Sequence, residues 1–275
     1  MKNELQQRMP DWCVNDLKLE RDLILTNDID SLMSAILLQV LTNYLWRINY
    51  FYDFMSIYRH KKTGNITIGI DAAFTKNVRT FDNHYTIHNK ASANMNRIKG
   101  IGRNEYCKKY PFSTIMLIMA YYDIPMPTSP TGREIILAID SSFKGFYTTN
   151  DYYKKIYLNW LEEMGYTSLI DILNQRDKDY FYKLQDDYGL NEKIEIDEQG
   201  YLYTKINFND IQPHFNDFKI ELPQQRFQHL RTFQTAAHKI GEKPIPSKDK
   251  LISLAYTYKN WVCYTYKNDD EAGAE

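Results

Sequence analysis

Acidic residues directly follow short apolar runs at four places in this sequence. The four segments are residues 23–30, 66–71, 78–84 and 135–140. Apolar runs of this length, rich in Ile and Leu and ended by polar residues, predict buried strands of an α/β sheet. Ligands of such sheets bind beyond the carboxyl ends of the strands. Four strands that deliver carboxylates to one edge would build an oxygen-rich site of the kind that binds Mn²⁺ or Mg²⁺.

A single aspartate after a strand has a simpler explanation, because it commonly caps the helix that follows. The recurrence of the pattern favours a metal site instead. Two of the four places are also elaborated: Asp28 and Asp30 form an Asp-x-Asp turn, and Asp82, Asn83 and His84 form a triplet. Carboxylates, an amide oxygen and an imidazole are all side-chain ligands that such a site can use.

The elements that must position these residues are predicted from the neighbouring pattern. Residues 32–44 are apolar and free of Gly and Pro, so a buried helix follows the Asp-x-Asp turn, with Asp30 or Ser31 as its cap. A second apolar helix begins at residues 111–114, and a Pro-rich linker leads to the apolar run before Asp140. We therefore expect residues 1–148 to form an α/β domain, with a mostly parallel sheet and helices on both faces.

Residues 149–267 lack the acid-after-strand pattern and predict a smaller α+β domain. Apolar residues recur at helical spacing from Tyr153 to Met164, and residues 169–184 predict another helix. Two alternating segments around the polar turn at residues 197–200 predict a β-hairpin. Residues 218–222 and 251–266 alternate in the same way. The acidic tail, residues 268–275, is expected to be disordered.

Composition sets outer bounds on the class of protein. The chain has 275 residues, a net charge of −1 and a hydrophobic content of 43%, which is ordinary for a soluble globular protein. Its three cysteines form no metal or disulfide pattern and its N-terminal segment has no apolar signal core, so we expect a cytoplasmic protein without a membrane partner. The abundance of Tyr, Lys, Asn and Ile is typical of an AT-rich genome and favours a bacteriophage or mobile-element origin. The oligomeric state stays open.

The order of the acidic motifs resembles that of the DHH phosphoesterase superfamily over residues 20 to about 148. Members of that superfamily include RecJ-type exonucleases, phosphodiesterases of small oligonucleotides and cyclic dinucleotides, and manganese-dependent pyrophosphatases. Their pattern is an Asp-x-Asp turn that opens a helix, an Asp after a strand, an Asp-His-His-type triplet, and a late Asp followed by Ser and Phe. Here the matching residues are Asp28 with Asp30, Asp71, Asp82-Asn83-His84 and Asp140-Ser141-Ser142-Phe143, and the helix that starts at Ser113-Thr114 also fits.

The resemblance implies two Mn²⁺ (or Mg²⁺) ions per chain. Carried over to this sequence, Asp28 and Asp30 would each bind one ion, and Asp71 would bridge the two. Asp140 would complete the coordination of the second ion. Asn83 stands where the superfamily has the first His of its triplet, so the chain is identified as a divergent member in which an amide oxygen replaces an imidazole ligand.

The remaining members of the triplet take catalytic roles under the same resemblance. His84 matches the last His, which would contact the phosphate or help with proton transfer, and Asp82 would orient its neighbours. The His that usually precedes the Asp-x-Asp turn is missing, since Thr26 and Asn27 stand there. The Gly-Gly motif of the usual companion domain is absent from residues 150–275.

Basic residues cluster between residues 90 and 109, a segment with one acidic residue. A segment of this kind is either a solvated surface loop or a mobile loop that meets a phosphate substrate. The candidates for contact with substrate phosphates are Lys90, Arg97, Lys99 and Arg103 in this segment, and Arg226, His229 and Arg231 in the second half. The alternative for the second group is that these side chains serve only as polar surface.

These observations predict a metal-dependent phosphoesterase, a phosphodiesterase or exonuclease that hydrolyses a phosphodiester by a two-metal mechanism. A nucleotide or short single-stranded nucleic acid is the expected substrate, because several basic residues suit several phosphates. Two alternatives stay open. One is a catalytically degenerate DHH-like protein that binds a nucleotide or a protein partner without turnover, and the other is a pyrophosphatase.

Overall fold

The computed structural model describes residues 1–87 and 89–267, so the predicted acidic tail lies outside the described residues. The helices are α1 (Asn3–Gln6), α2 (Trp12–Asn15), α3 (Ile29–Leu41), α4 (Met95–Ile98), α5 (Thr114–Tyr121), α6 (Pro130–Ala138), α7 (Asp151–Met164), α8 (Leu169–Gln175), α9 (Lys178–Tyr188) and α10 (Phe208–Ile211). The strands are β1 (Arg21–Thr26), β2 (Trp46–Tyr52), β3 (Ser56–Arg59), β4 (Thr67–Ile70), β5 (Arg79–Phe81), β6 (Ser92–Ala93), β7 (Ile194–Ile196), β8 (Leu202–Thr204), β9 (Gln228–Thr232), β10 (Gln234–Lys239), β11 (Leu251–Tyr258) and β12 (Trp261–Tyr266).

The largest sheet has seven strands in the order β6-β5-β4-β1-β2-β3-β9. The pairs from β6 to β2 are parallel, and β3 and β9 are added antiparallel at one side. The chain leaves β1 through α3 to reach β2 on one side, whereas β4 continues to β5 on the other. The gap between β1 and β4 is therefore a topological switch point, where open α/β sheets form a crevice beyond the carboxyl ends of their strands. The predicted α/β class with a mostly parallel sheet is confirmed.

The two faces of this sheet are covered differently. Leu23 and Leu25 on β1 and Ile68 on β4 belong to the main core, which also contains the apolar residues of α3, α5 and α6. Ile24 points to the other face and joins Tyr52, Phe74 and Phe233 in a cluster whose described members are not helical. Helices flank the sheet as predicted, but at its carboxyl end the second face packs against strand and loop residues.

The second half of the chain contributes to the same core and to the large sheet. Trp160 of α7 and Phe181 of α9 lie in one cluster with the residues of β1 and β4, and β9 pairs with β3. The predicted hairpin is confirmed as β7 and β8, and the predicted alternation of residues 251–266 as β11 and β12, which form a three-stranded antiparallel sheet with β10. The division at residue 148 stays a prediction. No helix within the described ranges has the length and apolar character needed to span a membrane.

The strand predicted before Asp140 is wrong, because residues 130–138 form helix α6. Ser129 caps this helix by accepting a hydrogen bond from the Gly132 amide, and Pro130 occupies its first turn. The five residues before Ile139 are all buried. A fully buried helix and a buried strand both present an unbroken apolar run, so periodicity does not distinguish them.

Four other segments also differ from the predicted elements. The predicted helix of residues 169–184 is two helices, α8 and α9, because Asp177 caps the second by accepting from the Tyr180 amide. Residues 218–222 form no strand. The predicted loop over residues 90–109 contains β6, α4 and a 3₁₀ segment at Arg103–Lys108. No strand is predicted at residues 45–60, where β2 and β3 lie, because Arg47 and Asn49 break the apolar pattern.

Candidate metal centre

Three strands of the parallel sheet end in aspartates at the switch point. Asp28 follows β1, Asp71 follows β4 and Asp82 follows β5. The ends of β1 and β4 are tied together by the Ser31 hydroxyl, which donates to the Ile70 carbonyl at 3.0 Å. Adjacent strands lie about 4.8 Å apart, so consecutive strand ends deliver side chains to one small volume. The ends of β1, β4 and β5 therefore place Asp28, Asp71 and Asp82 at the same edge of the sheet.

Two groups of potential metal ligands share one residue at this place. In one group Asp30, Asp71 and Asp140 offer ligand atoms that all lie within 4.8 Å of one another, and in the other Asp71, Asp82 and His84 do so. Asp71 belongs to both. Asp30, Asp71 and Asp82 are buried, whereas Asp140 is exposed and His84 is partly exposed. We call these five residues the acidic centre.

The carboxylate of Asp30 is held by the N-terminus of α5. The backbone amides of Thr114 and Ile115 donate to its two oxygens at 2.6 and 2.8 Å. An anion at this position interacts favourably with the helix dipole and with amides that lack an intrahelical partner. The Thr114 hydroxyl donates to Asp71 Oδ1 at 2.7 Å. One residue of α5 thus orients two carboxylates of the centre, and one of those two belongs to both ligand groups.

Asp82 orients the imidazole of His84. Its Oδ1 lies 2.8 Å from His84 Nδ1 and also accepts from the His84 backbone amide at 3.2 Å. Asn94 donates to Asp82 Oδ2 at 2.8 Å, so both carboxylate oxygens have partners. A His84 that donates from Nδ1 leaves Nε2 as the ring nitrogen for a ligand or substrate. The distance from His84 Nδ1 to Asp71 Oδ1 is 3.8 Å.

Asp140 reaches the centre from the C-terminus of α6 and not from a strand. Its Oδ2 accepts a hydrogen bond from Asn83 Nδ2 at 2.7 Å. Asp140 and Asp71 both have a left-handed backbone, with φ of 53° and 54°. Aspartate tolerates this conformation better than most residues, and its occurrence at two members of one site is the kind of backbone outlier that accompanies function.

Asp28 is the N-cap of α3, a role predicted for Asp30 or Ser31. Its Oδ1 accepts from the Ser31 amide at 3.1 Å, and its Oδ2 lies 3.5 Å from Lys193 Nζ. Asp28 belongs to neither of the two ligand groups. Its negative charge nevertheless acts on Asp30 and Asp71, so it lies beside the acidic centre.

Burial and neighbouring negative charges raise the pKa values of Asp30 and Asp71. Burial raises the pKa of Asp30 well above its ordinary value, and the charges of Asp71 and Asp140 add to this effect. Burial has the same effect on Asp71, although His84 partly offsets it. Burial alone would lower the pKa of His84, but its hydrogen bond to Asp82 and the charges around it raise the pKa to about 10. These effects favour the protonated forms of Asp30, Asp71 and His84.

The residues of the centre fit a divalent cation. Carboxylate oxygens with one imidazole are suitable ligands for Mg²⁺ and Mn²⁺, and a cation would offset the negative charges of Asp71 and Asp140 that help to raise the pKa of Asp30. Two further oxygens beside it, Asn27 Oδ1 and Ser113 Oγ, are buried and have no hydrogen-bond partner among the described residues. Buried polar atoms normally have partners, so these two are consistent with a ligand at this place.

Most of the basic residues predicted to bind phosphate have other partners or lie at or beside the edge strand β9. Lys99 pairs with Glu163 at 2.7 Å and lies over the Trp160 ring, while Arg97 donates from Nε to the Ser92 carbonyl. Lys90 and Arg103 are exposed. The three candidates of the second half, Arg226, His229 and Arg231, lie at or beside β9, which is separated from β1 by β2 and β3.

Two lysines outside that candidate set lie beside the centre. Lys193 is 3.5 Å from Asp28, and Lys109 is close enough to Asp140 to interact with its charge. Burial lowers the pKa of Lys109, and the charge of Asp140 partly opposes this. The Lys109 ammonium lies 5.3 Å from the centre of the Tyr106 ring. The density of basic residues at 90–109 includes Lys109 but does not distinguish it from its neighbours. No feature of the sequence around Lys193 predicts its position beside the centre.

Comparisons of the chain with models of known protein families, with curated proteins and with solved structures found no match. The function is therefore inferred below from the geometry and chemistry of the acidic centre.

Proposed function

We propose that this protein is a metal-dependent phosphoesterase that hydrolyses a phosphodiester in a nucleotide or short single-stranded nucleic acid. The observation that carries the proposal is that Asp71 belongs to two groups of metal ligands, which is what a pair of ions bridged by one carboxylate requires. We propose Mn²⁺ or Mg²⁺ for both positions, because oxygen donors predominate. Two such ions, when bound, supply the charge that polarises a phosphate and acidifies water.

The protein's own residues would divide the remaining work. Asp82 would orient the His84 ring through Nδ1, so that Nε2 would be available to donate a hydrogen bond or a proton to a phosphate oxygen. A protonated imidazole does not bind a metal ion, so in this role Asp71 and Asp82, without His84, would hold the second ion. Lys109 and Lys193 flank the carboxylates and would attract a phosphate to a centre that otherwise repels anions.

Membership of the DHH phosphoesterase superfamily is part of the proposal and is supported by the order of the acidic motifs along the chain. One observation favours a second candidate function, a binding protein without turnover. Asn83, at the position of a ligand histidine, directs its amide nitrogen to Asp140. An amide that donates to one carboxylate has only its oxygen left for a metal, and that oxygen is a weaker ligand than imidazole for Mn²⁺.

The proposal is tested by metal analysis of the purified protein together with a hydrolysis assay. We expect about two Mn²⁺ ions per chain after dialysis against the metal. We also expect turnover of bis-p-nitrophenyl phosphate and of a short oligonucleotide that stops on chelation and returns when Mn²⁺ is added. Bound metal without turnover would support the binding protein, and activity on inorganic pyrophosphate alone would support a pyrophosphatase. Absence of both metal and turnover would refute the phosphoesterase.

A substitution of Lys109 tests the proposed capture of phosphate. Lys109 is partly buried and has no ion pair with a carboxylate among the described residues, and such an ammonium has a strong tendency to pair with a phosphate oxygen. We expect Lys109→Met to raise KM for the oligonucleotide about tenfold, with a smaller change in kcat, because charge-assisted hydrogen bonds contribute about 1.5–3 kcal/mol. The stabilisation of the protein by Mn²⁺ should remain.

The neighbouring residue provides the matched control. Lys108→Met makes the same change in charge and size, but Lys108 is exposed and pairs with Glu105 at 2.5 Å. Exposed pairs of this kind contribute little to stability, so this variant should behave like the wild type. Equal kinetic effects of the two substitutions would contradict a specific role of Lys109 and would leave only a general effect of net charge.

A further inference from the structure

A cavity of about 320 Å³ opens beside the acidic centre, between its His84 side and the sheet of β10, β12 and β11. This volume is at the small end of the range of about 300–1,000 Å³ found for ligand pockets. His84 lines the cavity, and so does Ala73, which lies two residues after Asp71. A molecule whose phosphate lies at the acidic centre can therefore extend into this space.

The floor of the cavity is formed by the three-stranded sheet and consists mostly of residues with small side chains, although Leu254 and Tyr264 also line the cavity. Residues paired directly across antiparallel strands share a face. One such row is Ala237, Cys263 and Ala255, and the next is Thr235, Thr265 and Ser253. All six line the cavity. The floor is therefore flat, with one apolar row beside one row of hydroxyl groups.

The opposite face of the same sheet is already occupied. Val262 and Tyr264 of β12 and Leu254 of β11 form a buried cluster there, packed against Ile87. The row of small residues is thus not the remainder of a poorly filled core, since Ala237 is exposed and Cys263 is partly exposed. It is open to a ligand in the described part of the chain.

One aromatic residue with an unusual backbone stands at the edge of the cavity. Phe54 lines it and has a φ of 72°, which is rare for a bulky residue. Its carbonyl accepts from the Thr265 hydroxyl at 3.0 Å, and its ring lies 5.0 Å from that of Tyr52. These contacts hold an aromatic ring at the rim of the flat floor.

The charge of the lining determines what the cavity can accept. The ionisable side chains among its lining residues are those of His84, Cys263 and Tyr264. No lysine, arginine, aspartate or glutamate among the described residues lines it. A second phosphate group in this space would have no counter-charge on the sheet side, which disfavours pyrophosphate.

The hydroxyls of Ser253 and Thr265 in the row of hydroxyl groups are already hydrogen-bonded, to the Tyr52 hydroxyl and to the Phe54 carbonyl. A planar ring suits the apolar row, and its polar edge suits the exposed Thr235 hydroxyl. A nucleobase has both features, and stacking on aromatic rings is a usual mode of binding it.

We propose that this cavity binds the base of a nucleotide whose phosphate lies at the acidic centre, an inference that rests on the proposed function. The floor then selects a phosphate ester of a nucleoside over inorganic phosphates and sugar phosphates. Small side chains at Ala237, Cys263 and Ala255 are specificity determinants, because a larger side chain at any of them would occupy the place of the ring.

The test is calorimetric titration of the full-length protein in MgCl₂ with 5′-AMP, ribose 5-phosphate and inorganic phosphate. The wild type should bind 5′-AMP about tenfold more tightly than ribose 5-phosphate, because base stacking contributes a difference of that order. Ala237→Leu should remove this difference and leave the affinity for inorganic phosphate unchanged. The position is exposed, so the substitution should not impair folding.

Two control variants separate filling of the cavity from other effects. Ala237→Ser keeps the side chain small and should retain the preference for 5′-AMP. Gln234→Leu places the same leucine on β10 at an exposed position that does not line the cavity, and should also retain it. Loss of the preference in Ala237→Leu alone is the expected result.

The outcomes distinguish failure of this inference from failure of the proposed function. Equal affinities of the wild type for 5′-AMP and ribose 5-phosphate, or a preference that survives in Ala237→Leu, would overturn the base-binding cavity and leave the phosphoesterase untouched. Base-dependent binding without any hydrolysis would support the cavity and refute the enzyme. If none of the three compounds binds, the phosphate site and the cavity are both refuted.

Discussion

Replacement of Asp71 by asparagine should abolish Mn²⁺-dependent hydrolysis and, at pH 7.5, make the cation-free protein more stable. The loss of activity follows from the position of Asp71 in both ligand groups, since a neutral amide at that place weakens the binding of both ions. We expect a decrease in kcat/KM of at least about a thousandfold, as for other residues on which a whole site depends. Mn²⁺ should then no longer raise the melting temperature.

The gain in stability has a separate physical reason. Burial raises the pKa of Asp71, so ionisation of this carboxyl group at neutral pH destabilises the folded state relative to the unfolded chain. Asparagine has the same shape, still accepts the hydrogen bond from Thr114, and tolerates the left-handed backbone at φ 54°. Each kcal/mol gained should appear as a rise of about 2–4 °C in the melting temperature.

A second buried aspartate provides a control with the opposite sign. Asp16 is also buried, but it accepts from Arg21 Nε at 2.6 Å and from Arg79. Asp16→Asn leaves two guanidinium groups without their carboxylate and should destabilise the protein by about 1–3 kcal/mol. Stability is measured by thermal and urea unfolding of the cation-free proteins. Destabilisation of both variants would contradict the assignment of Asp71 to a centre that requires a cation.

The stabilisation by Mn²⁺ should be much larger at pH 7.5 than at pH 5.5. The folded-state pKa values of Asp30 and Asp71 are raised, so their contribution to stability is complete below the ordinary value of 3.8 and is lost as the pH rises through the raised values. The contribution of His84 is complete below 6.5 and is lost as the pH rises through about 10. All three groups therefore make the cation-free protein less stable as the pH increases.

Bound cations reverse this trend because they compete with protons for the same atoms. At a Mn²⁺ concentration about 100 times the Kd, the protein should gain about 2.7 kcal/mol for each bound ion at pH 7.5, and at pH 5.5 less than half of that. The measurement is differential scanning calorimetry with and without Mn²⁺ at matched ionic strength. Asp71→Asn should show no shift at either pH. Equal Mn²⁺ shifts of the wild type at both values would show that the cation binds elsewhere.

The part of the centre that could be predicted from the sequence is the part made by local pattern. Asp28, Asp71 and Asp82 each follow a short apolar run, and the end of a buried strand is visible in sequence as the change from apolar to polar residues. Asp140 also lies at the centre, but its run is the helix α6. Asp140 lies beside Asp30 and Asp71 although the strand predicted before it is a helix, because a buried strand and a buried helix can both end at the edge of the sheet.

The residues proposed to bind phosphate illustrate what a local sequence pattern does not reveal. Charge density along the chain predicts that a segment is basic, but it does not indicate which charges are already neutralised. Lys99 is paired with Glu163, 64 positions away, whereas Lys109 forms no ion pair within residues 1–87 and 89–267 and lies near Asp140. Pairing between distant segments is decided by packing, which no local pattern reveals.

Local sequence patterns are sufficient to predict which residues can bind a hard cation and that most of them follow buried elements. They also predict an α/β fold with a mostly parallel sheet. These properties depend on residues within one turn or strand of each other. Only the tertiary structure decided that Asp71 is shared between two ligand groups, that the N-terminus of α5 holds Asp30, and that a flat antiparallel sheet faces His84 across a cavity. Those arrangements join segments that are far apart in the sequence, such as His84 and Thr265, and they are set by the packing of the core as a whole.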